Sequence, residues 1–517
     1  MQISAASWRA VLLLVCLLLG CRRPAPDPPD RCAGAMAPGF RRLPFSTLED
    51  KIRGGWAGQM IGVTCGAPFE FRARGRILEG DLDNDGGFTP PKVEDALSQD
   101  DLYVDATFAQ VMDDVGLDAC LADYAAALAK TRYHLFHANA AARRILAQGH
   151  PPEHAGDPRF NLHANDIDFQ IEADFIGLMT PGLPAEANRY ATRVGRLVGY
   201  GDGLHGGLFV ASLYAAAFFE ASPQRLVEAA LQSLPPESGY AAAVRDVLAW
   251  HARNVDWRVT WRKIEDTWAN RDACPSGALE PFDIDARLNG AYVVMGLLYG
   301  RGDFARTLEI TIRAGQDTDS NAATALGVLG AALGYAAIPD AFKSGIPAIA
   351  RRPFEHTTVS FEDLVSSTLR RAVAAVTRAG GATCADTLLI PEQAPSPPPL
   401  TQFDMGVAAA RVEAAAAAWT WTGPWSAVSG AIDAGRTWHG KQSGQRGAEA
   451  ELRFNGSGIA ILGPLGSYGG RADVYLDGAK QPEPLDAYAP PRTWDHDSLA
   501  RHGPRRRPAH AANRGPR

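Results

Sequence analysis

A chain of 517 residues, 46% hydrophobic and 21% charged, is long enough for two domains beyond any terminal extension. Its net charge of -7 argues against a nucleic-acid partner. There is no Cys-x-x-Cys pair and no Cys/His spacing of the zinc-binding kind, so metal binding through sulfur is not expected.

Residues 1–21 read as an export signal. The apolar run from Val11 to Leu19 after Arg9 is too short to span a bilayer as a stable helix. Leu18-Leu19-Gly20-Cys21 resembles the bacterial lipoprotein cleavage site, which makes Cys21 the expected lipid-bearing residue and the membrane an expected partner. Ordinary secretion is the alternative. Arg22 is not the acidic residue that favours inner-membrane retention, so a Gram-negative host would send the protein to the outer membrane. Residues 22–42, rich in Pro and small residues, read as a tether. Cys32, Cys65, Cys120, Cys274 and Cys384 are scattered; export permits a disulfide without naming its pair.

Residues 43–385 are dominated by helical periodicity, with examples at Tyr124 to Leu146, Ala211 to Phe219, Ala241 to Trp250, Tyr292 to Leu298 and Ala323 to Tyr335. Frequent Gly and Ala inside these runs let helices approach closely, which suits a bundle with its site between helix ends. Asp81-x-Asp83-x-Asp85-Gly86 opens like a calcium loop, but Pro90-Pro91 interrupts it and Lys92 stands where a bidentate Glu belongs; a solvated turn is the better reading. Gln99-Asp100-Asp101 precedes a helical pattern in which Asp101 and Asp105 are i,i+4 neighbours. Asn165, Asp168, Glu172 and Asp174 lie on a polar helical stretch that faces either a cleft or solvent. The glycine-rich Gly201-Asp202-Gly203-Leu204-His205-Gly206-Gly207 precedes a helix and offers backbone N–H groups to a diphosphate, with His205 either touching substrate or capping the helix.

Gly315-Gln316-Asp317-Thr318-Asp319-Ser320 runs straight into a small, apolar helical stretch. Hard divalent cations want several oxygen ligands at short range, and Asp317 and Asp319 converge if the backbone is still extended there. Ser320 then caps the helix or adds a ligand. An acidic N-cap without metal is the plainer alternative. Each like-charge contact at about 4 Å costs roughly 4 kcal/mol at an effective dielectric near 20, so early and late carboxylates that meet call for a cation between them.

Beyond the body, residues 386–402 form a Pro-rich linker. In residues 403–490 the period changes to two, with short alternating runs from Ala448, Gly458 and Ala472 and a hairpin signal at Asp477-Gly478. A small β-sandwich is expected. Its Trp419, Trp421, Trp425 and Trp438 form either its core or, less directly, a platform for glycan. Residues 491–517, with Arg505-Arg506-Arg507, read as a basic tail without strand character.

The early Gln-Asp-Asp, the late Gly315–Gly327 motif and the opening Ile52-Arg53-Gly54-Gly55-Trp56-Ala57-Gly58-Gln59-Met60-Ile61-Gly62 together resemble the ADP-ribosylglycohydrolase family, from roughly Phe45 to Ala350. The resemblance implies a mainly α, all-helical bundle holding two Mg²⁺ (or Mn²⁺) ions. Carried over by position, Gln99, Asp100, Asp101, Asp317, Asp319 and Ser320 become metal ligands. Asp100 and Asp317 become the residues that orient or deprotonate water, and Glu70 the acid near the substrate ribose. The mid-chain loop with Asp202, Gly203, His205 and Gly206 becomes a contact for ADP-ribose. Gln99 departs from the family's usual Thr, and Val63 from its usual Asp. The implied activity is metal-dependent hydrolysis of a glycosidic bond to ribose, releasing ADP-ribose from a modified target. An extracytoplasmic glycoside or nucleoside hydrolase and a non-catalytic binding lipoprotein are the alternatives.

Overall fold

Four glycines spaced four residues apart, Gly54, Gly58, Gly62 and Gly66, line one face of the first long helix, α1 (Phe45–Gly66). Residues at this spacing stack on one side of a helix. A Cβ on each would lie 2.1–2.4 Å from backbone atoms of a second helix, at Gly330, Leu326, Ala322 and Asp319 in turn. The descending order shows that the two helices run antiparallel with their backbones in contact, and it brings the end of α1 to the start of its partner. Close approach of this kind is available only where side chains are absent.

The structure, a computed structural model, describes residues 38–82, 94–269, 274, 277–403, 406, 408–433, 436–482, 484–488 and 498–502. Cys21, Cys32, the turn from Asp83 to Lys92 and the run 505–507 lie outside these residues. After α1 come α2 (Asp100–Val115), α3 (Leu121–Lys130), α4 (His137–Ala147), α5 (Pro184–Gly195), α6 (Asp202–Ala217) and α7 (Pro223–Leu231). They continue with α8 (Gly239–His251), α9 (Trp257–Trp268), α10 (Ala286–Gly300), α11 (Phe304–Arg313), α12 (Thr318–Leu333) and α13 (Phe361–Arg378), joined by shorter helical turns. Their apolar faces form one continuous core in which α1, α6, α10 and α12 are buried on nearly every side. The helical class read from periodicity is what the structure has.

One run divides. The pattern from Tyr124 to Leu146 is two helices, α3 and α4, separated by residues 131–136. The Thr131 hydroxyl donates to the Leu128 carbonyl, and the Tyr133 hydroxyl donates to Thr107 on α2. Tyr133 also packs its ring on Tyr103 at 4.6 Å. Tertiary anchoring of Tyr133 therefore breaks a helix that local propensity would have continued.

The ends of the helical body are tied by a sheet. β1 (Phe40–Pro44) pairs antiparallel with β3 (Thr387–Pro391), which also pairs with β2 (Ala382–Cys384). β1 thus starts inside the stretch read as a tether, and β3 inside the stretch read as a linker. The backbone N–H of Ser396 donates to Asn188 Oδ1, so the Pro-rich segment lies on the helices. Cys384 is disulfide-bonded, while Cys65, Cys120 and Cys274 are not in disulfides.

The C-terminal region is strand-rich, as its two-residue period predicts. β4 (Trp419–Thr422) pairs with β7 (Glu449–Leu452), and β5 (Ser426–Asp433) with β6 (Arg436–Gln442). β8 (Ile459–Gly463), β9 (Arg471–Ala472), β10 (Tyr475–Leu476), β11 (Ala479–Lys480) and β12 (Leu485–Asp486) follow. β10 and β11 turn on Asp477 and Gly478, both at positive φ, which is the geometry an Asp-Gly hairpin requires. β13 (Ser498–His502) pairs with β8, so a strand lies where the sequence reads as a tail; Ser-Leu-Ala-Arg-His does not alternate. These strands form small two-stranded sheets, and among the described residues Leu465 is the only buried hydrophobic side chain beyond Ile390. Trp421, half-buried like its neighbours, packs tilted on Trp419 and edge-on to Trp425, with Lys441 Nζ 4.6 Å from its ring centre. No helix among the described residues is long and apolar enough to cross a membrane.

Candidate active site

The α1–α12 contact sets the position of the late acidic motif. The Thr318 hydroxyl donates to the Gly66 carbonyl at 2.9 Å, which fixes the first turn of α12 against the end of α1. Asp317 is still outside the helix, at φ -80 and ψ 79, while Asp319 lies in its first turn. This is the extended-to-helical transition that lets two alternate carboxylates converge. The Asp317 side chain caps no backbone N–H of the helix, and the Ser320 hydroxyl donates to Asp101 Oδ2 at 3.5 Å.

Gly315 and Gln316 hold the motif against the residues after α1. The Phe71 N–H donates to the Gln316 carbonyl and the Gln316 N–H to the Ala73 carbonyl, both at 2.9 Å. Both Phe71 and Gln316 adopt positive φ to do so, and a Cβ on Gly315 would lie 2.3 Å from the Ala73 carbonyl oxygen. The result is that carboxylate oxygens of exposed Glu70 and buried Asp317 and Asp319 lie within 4.8 Å of one another. The Gln316 side chain extends the clamp: its Oε1 accepts from the Asp283 N–H and its Nε2 donates to the Pro281 carbonyl.

The early motif arrives from α2. Asp100 and Asp101 occupy its first turn, so the α2 N-terminus faces the late carboxylates. Asp101 is buried, and its carboxyl is pushed well above the ordinary range, by burial first and then by the charges of Asp319, Asp100, Asp174 and Glu70. Asp319 is raised by burial, then by Asp317 and Asp100. Burial pushes Asp317 up to about 8, with Glu70 and Asp101 adding to the effect. Asp100, half-buried at its surface, is raised by desolvation. The two motifs, more than two hundred residues apart, share one electrostatic pocket.

Two buried acids form a layer beneath it. Asp105 is raised by burial and by Asp174, whose Oδ2 accepts from the Tyr214 hydroxyl at 2.9 Å. Asp174 was legible only as a member of a polar stretch. Its partners Asp168 and Glu172 are buried, so the solvated-face reading of that stretch does not hold. Asp168 Oδ1 accepts from the Asn139 N–H at 2.9 Å, and Glu172 accepts from the Asn139 side chain. Burial raises Asp168 to about 6. The stretch itself is a single helical turn, Asp168–Ile171.

The remaining site residues fall elsewhere. Gln99 caps α2 in an extended conformation and its amide donates to Asp95 at 3.1 Å. Val63 is fully buried in the core. Asp202, Gly203, His205 and Gly206 form the first turns of α6, where Gly203 leaves no room for a Cβ beside the Ala164 carbonyl and Gly206 none beside Gln170. His205 is buried and its Nδ1 lies 2.9 Å from Asp202 Oδ1. Burial alone would raise Asp202, but the His205 hydrogen bond and Arg287 hold it below the usual carboxylate range.

A divalent cation is the group this donor set fits. Asp101 Oδ1, Asp174 Oδ1 and Asp319 Oδ1 are buried and, among the described residues, without a hydrogen-bond partner. Buried carboxylates left this way are costly unless a cation meets them. The donors are all hard oxygens, which suits Mg²⁺ or Mn²⁺ over zinc or copper.

A family model for ADP-ribosylglycohydrolase matches residues 44–373. None of the curated proteins compared with the chain matches it. Among solved structures, a chain of an ADP-ribosylglycohydrolase-related protein complex is similar, with 18% identity and a TM-score of 0.42, covering 63% of this chain and 98% of that one.

Proposed function

This chain belongs to the ADP-ribosylglycohydrolase family, and on that premise we propose that it is a metal-dependent hydrolase releasing ADP-ribose from a modified target. The observation that carries the reading is the convergence of Asp101 from α2 with Asp317 and Asp319 at the start of α12, beside Glu70. Asp100, Asp101, Asp317, Asp319 and Ser320 would hold two Mg²⁺ ions. Such ions lower the pKa of bound water and polarise ribose hydroxyls.

The protein's own groups have distinct tasks. Asp317 accepts a proton from the attacking water, whose oxygen forms a bond to the anomeric carbon as the bond to the leaving group breaks. Glu70, on the exposed rim, serves the departing side, where the proton is returned. The surrounding carboxylates favour the positive charge that builds on the ribosyl centre. Phe71 and Phe282, with ring centres 4.8 Å apart, wall the rim next to Glu70.

The test is release of free ADP-ribose from a mixed pool of Arg-, Ser- and Asn-linked ADP-ribosylated peptides, in Mg²⁺ and in EDTA. Release in Mg²⁺ alone supports the reading and names the linkage. Absence of release on every linkage, with metal bound, would replace it with a glycoside or nucleoside substrate. The clustered, half-buried tryptophans of the C-terminal region favour glycan as that second choice.

A further inference from the structure

A second cluster of metal-binding donors lies near the rim of the carboxylate site, and its chemistry is different. His137 stands at the start of α4, His163 and Asp166 in the turns before Ile167, and Cys274 at the head of the segment leading to α10. One donor atom from each lies within 4.8 Å of the other three. His163 Nδ1 is 2.8 Å from Asp166 Oδ2 and 3.3 Å from Cys274 Sγ, and His137 Nδ1 is 3.5 Å from the same Asp166 oxygen. His163, Asp166 and Cys274 are buried, and His137 is partly so. His137 reaches the group from a left-handed backbone at φ 40, a conformation that a β-carbon disfavours and that surrounding structure must impose.

We propose that these four residues form a structural zinc site. A tetrahedral zinc with nitrogen and oxygen ligands near 2.0–2.1 Å and sulfur near 2.3 Å has ligand-to-ligand edges of roughly 3.3–3.8 Å. Two of these separations, 3.3 and 3.5 Å, already lie in that range. The third, 2.8 Å, is a hydrogen bond that would be exchanged for two metal bonds as His163 and Asp166 part by about half an ångström. The donor set of two imidazoles, one thiolate and one carboxylate is of the softness that zinc accepts and Mg²⁺ does not. Its charge also closes: the Cys274 proton leaves on binding, and thiolate plus carboxylate neutralise the dication in a buried place.

The site would secure the segment that borders the reaction. Ile167 N–H donates to the Ile284 carbonyl, and Asp166 bridges antiparallel to Asp285, so residues 284–285 are pinned to the end of the His163–Ile167 turn. Phe282 on that segment stacks against His137 and meets Phe71 edge-on. Gln316 then grips Pro281 and Asp283 from the other side. Zinc at one end and Gln316 at the other hold the wall beside Glu70.

The experiment is metal analysis of the full chain purified with Zn²⁺ and dialysed against Mg²⁺ and a weak chelator, together with Co²⁺ substitution. One zinc per chain is expected, with intense tetrahedral Co²⁺ bands and a sulfur-to-cobalt charge-transfer band. Cys274→Ser abolishes the charge-transfer band, and His137→Ala, at a partly exposed position, weakens zinc binding by about 100-fold or more. Asp317→Asn retains the zinc. Substoichiometric zinc in the unaltered chain, or undiminished zinc in both Cys274→Ser and His137→Ala, would overturn the proposal.

Discussion

Two donor clusters within one helical body solve the problem of buried polar atoms differently. The carboxylate cluster is built of oxygens from helix N-termini, and its charges repel one another until a cation arrives. The mixed cluster of His137, His163, Asp166 and Cys274 is already partly satisfied by internal contacts and joins the start of α4 to two loop segments. The first is suited to exchangeable ions and chemistry, and the second to a single ion held for architecture. Gln316, with its backbone on Phe71 and Ala73 and its side chain on Pro281 and Asp283, connects them.

Four substitutions or conditions separate the clusters. The largest effect is expected for Asp317→Asn, which should lower kcat by about 10²–10⁴-fold and leave zinc content unchanged; steady-state ADP-ribose release with parallel metal analysis checks this. Next is pH. The carboxyl of Asp317 lies at about 8 in the folded, metal-free chain against an ordinary 3.8, so the folded state binds more protons than the unfolded one between those values. Stability after EDTA treatment is therefore fully present in acid and falls as pH rises toward 8. Saturating Mg²⁺ should oppose that fall, as thermal melts across the pH range with and without the ion would show.

A smaller effect should follow from Gly58→Ala. A methyl 2.1 Å from the Leu326 carbonyl forces α1 and α12 apart. Overpacking of this order costs about 1–3 kcal/mol, measurable by urea unfolding, and it should reduce activity while the mixed cluster keeps its metal. Gln316→Ala should have the least effect on stability, about 1 kcal/mol. It should raise KM more than it lowers kcat, because the wall loosens while the carboxylates remain.

Much of the carboxylate site was legible because its signals are local. The Asp317–Ser320 spacing at the start of a small, apolar helix and the acidic pair opening α2 each occupy a few residues, as does the Asp477-Gly478 hairpin. What escaped is set by distant contacts. Asp105 and Asp174 meet only because α2 and the short turn after Ala173 pack side by side. The break between α3 and α4 depends on Tyr133 reaching α2. The regular four-residue spacing of Gly54, Gly58, Gly62 and Gly66 could have identified the α1–α12 contact, since a glycine stripe marks a backbone neighbour. The mixed cluster has no such signature: its ligands come from three separate segments, so no short spacing reveals them.

The most direct measurement is anomalous diffraction at the manganese edge from crystals of the full chain soaked in Mn²⁺. Peaks between Asp101, Asp317 and Asp319, lost on chelation together with ADP-ribose release, are the expected result. A chain that releases ADP-ribose with no manganese among those carboxylates would contradict the account.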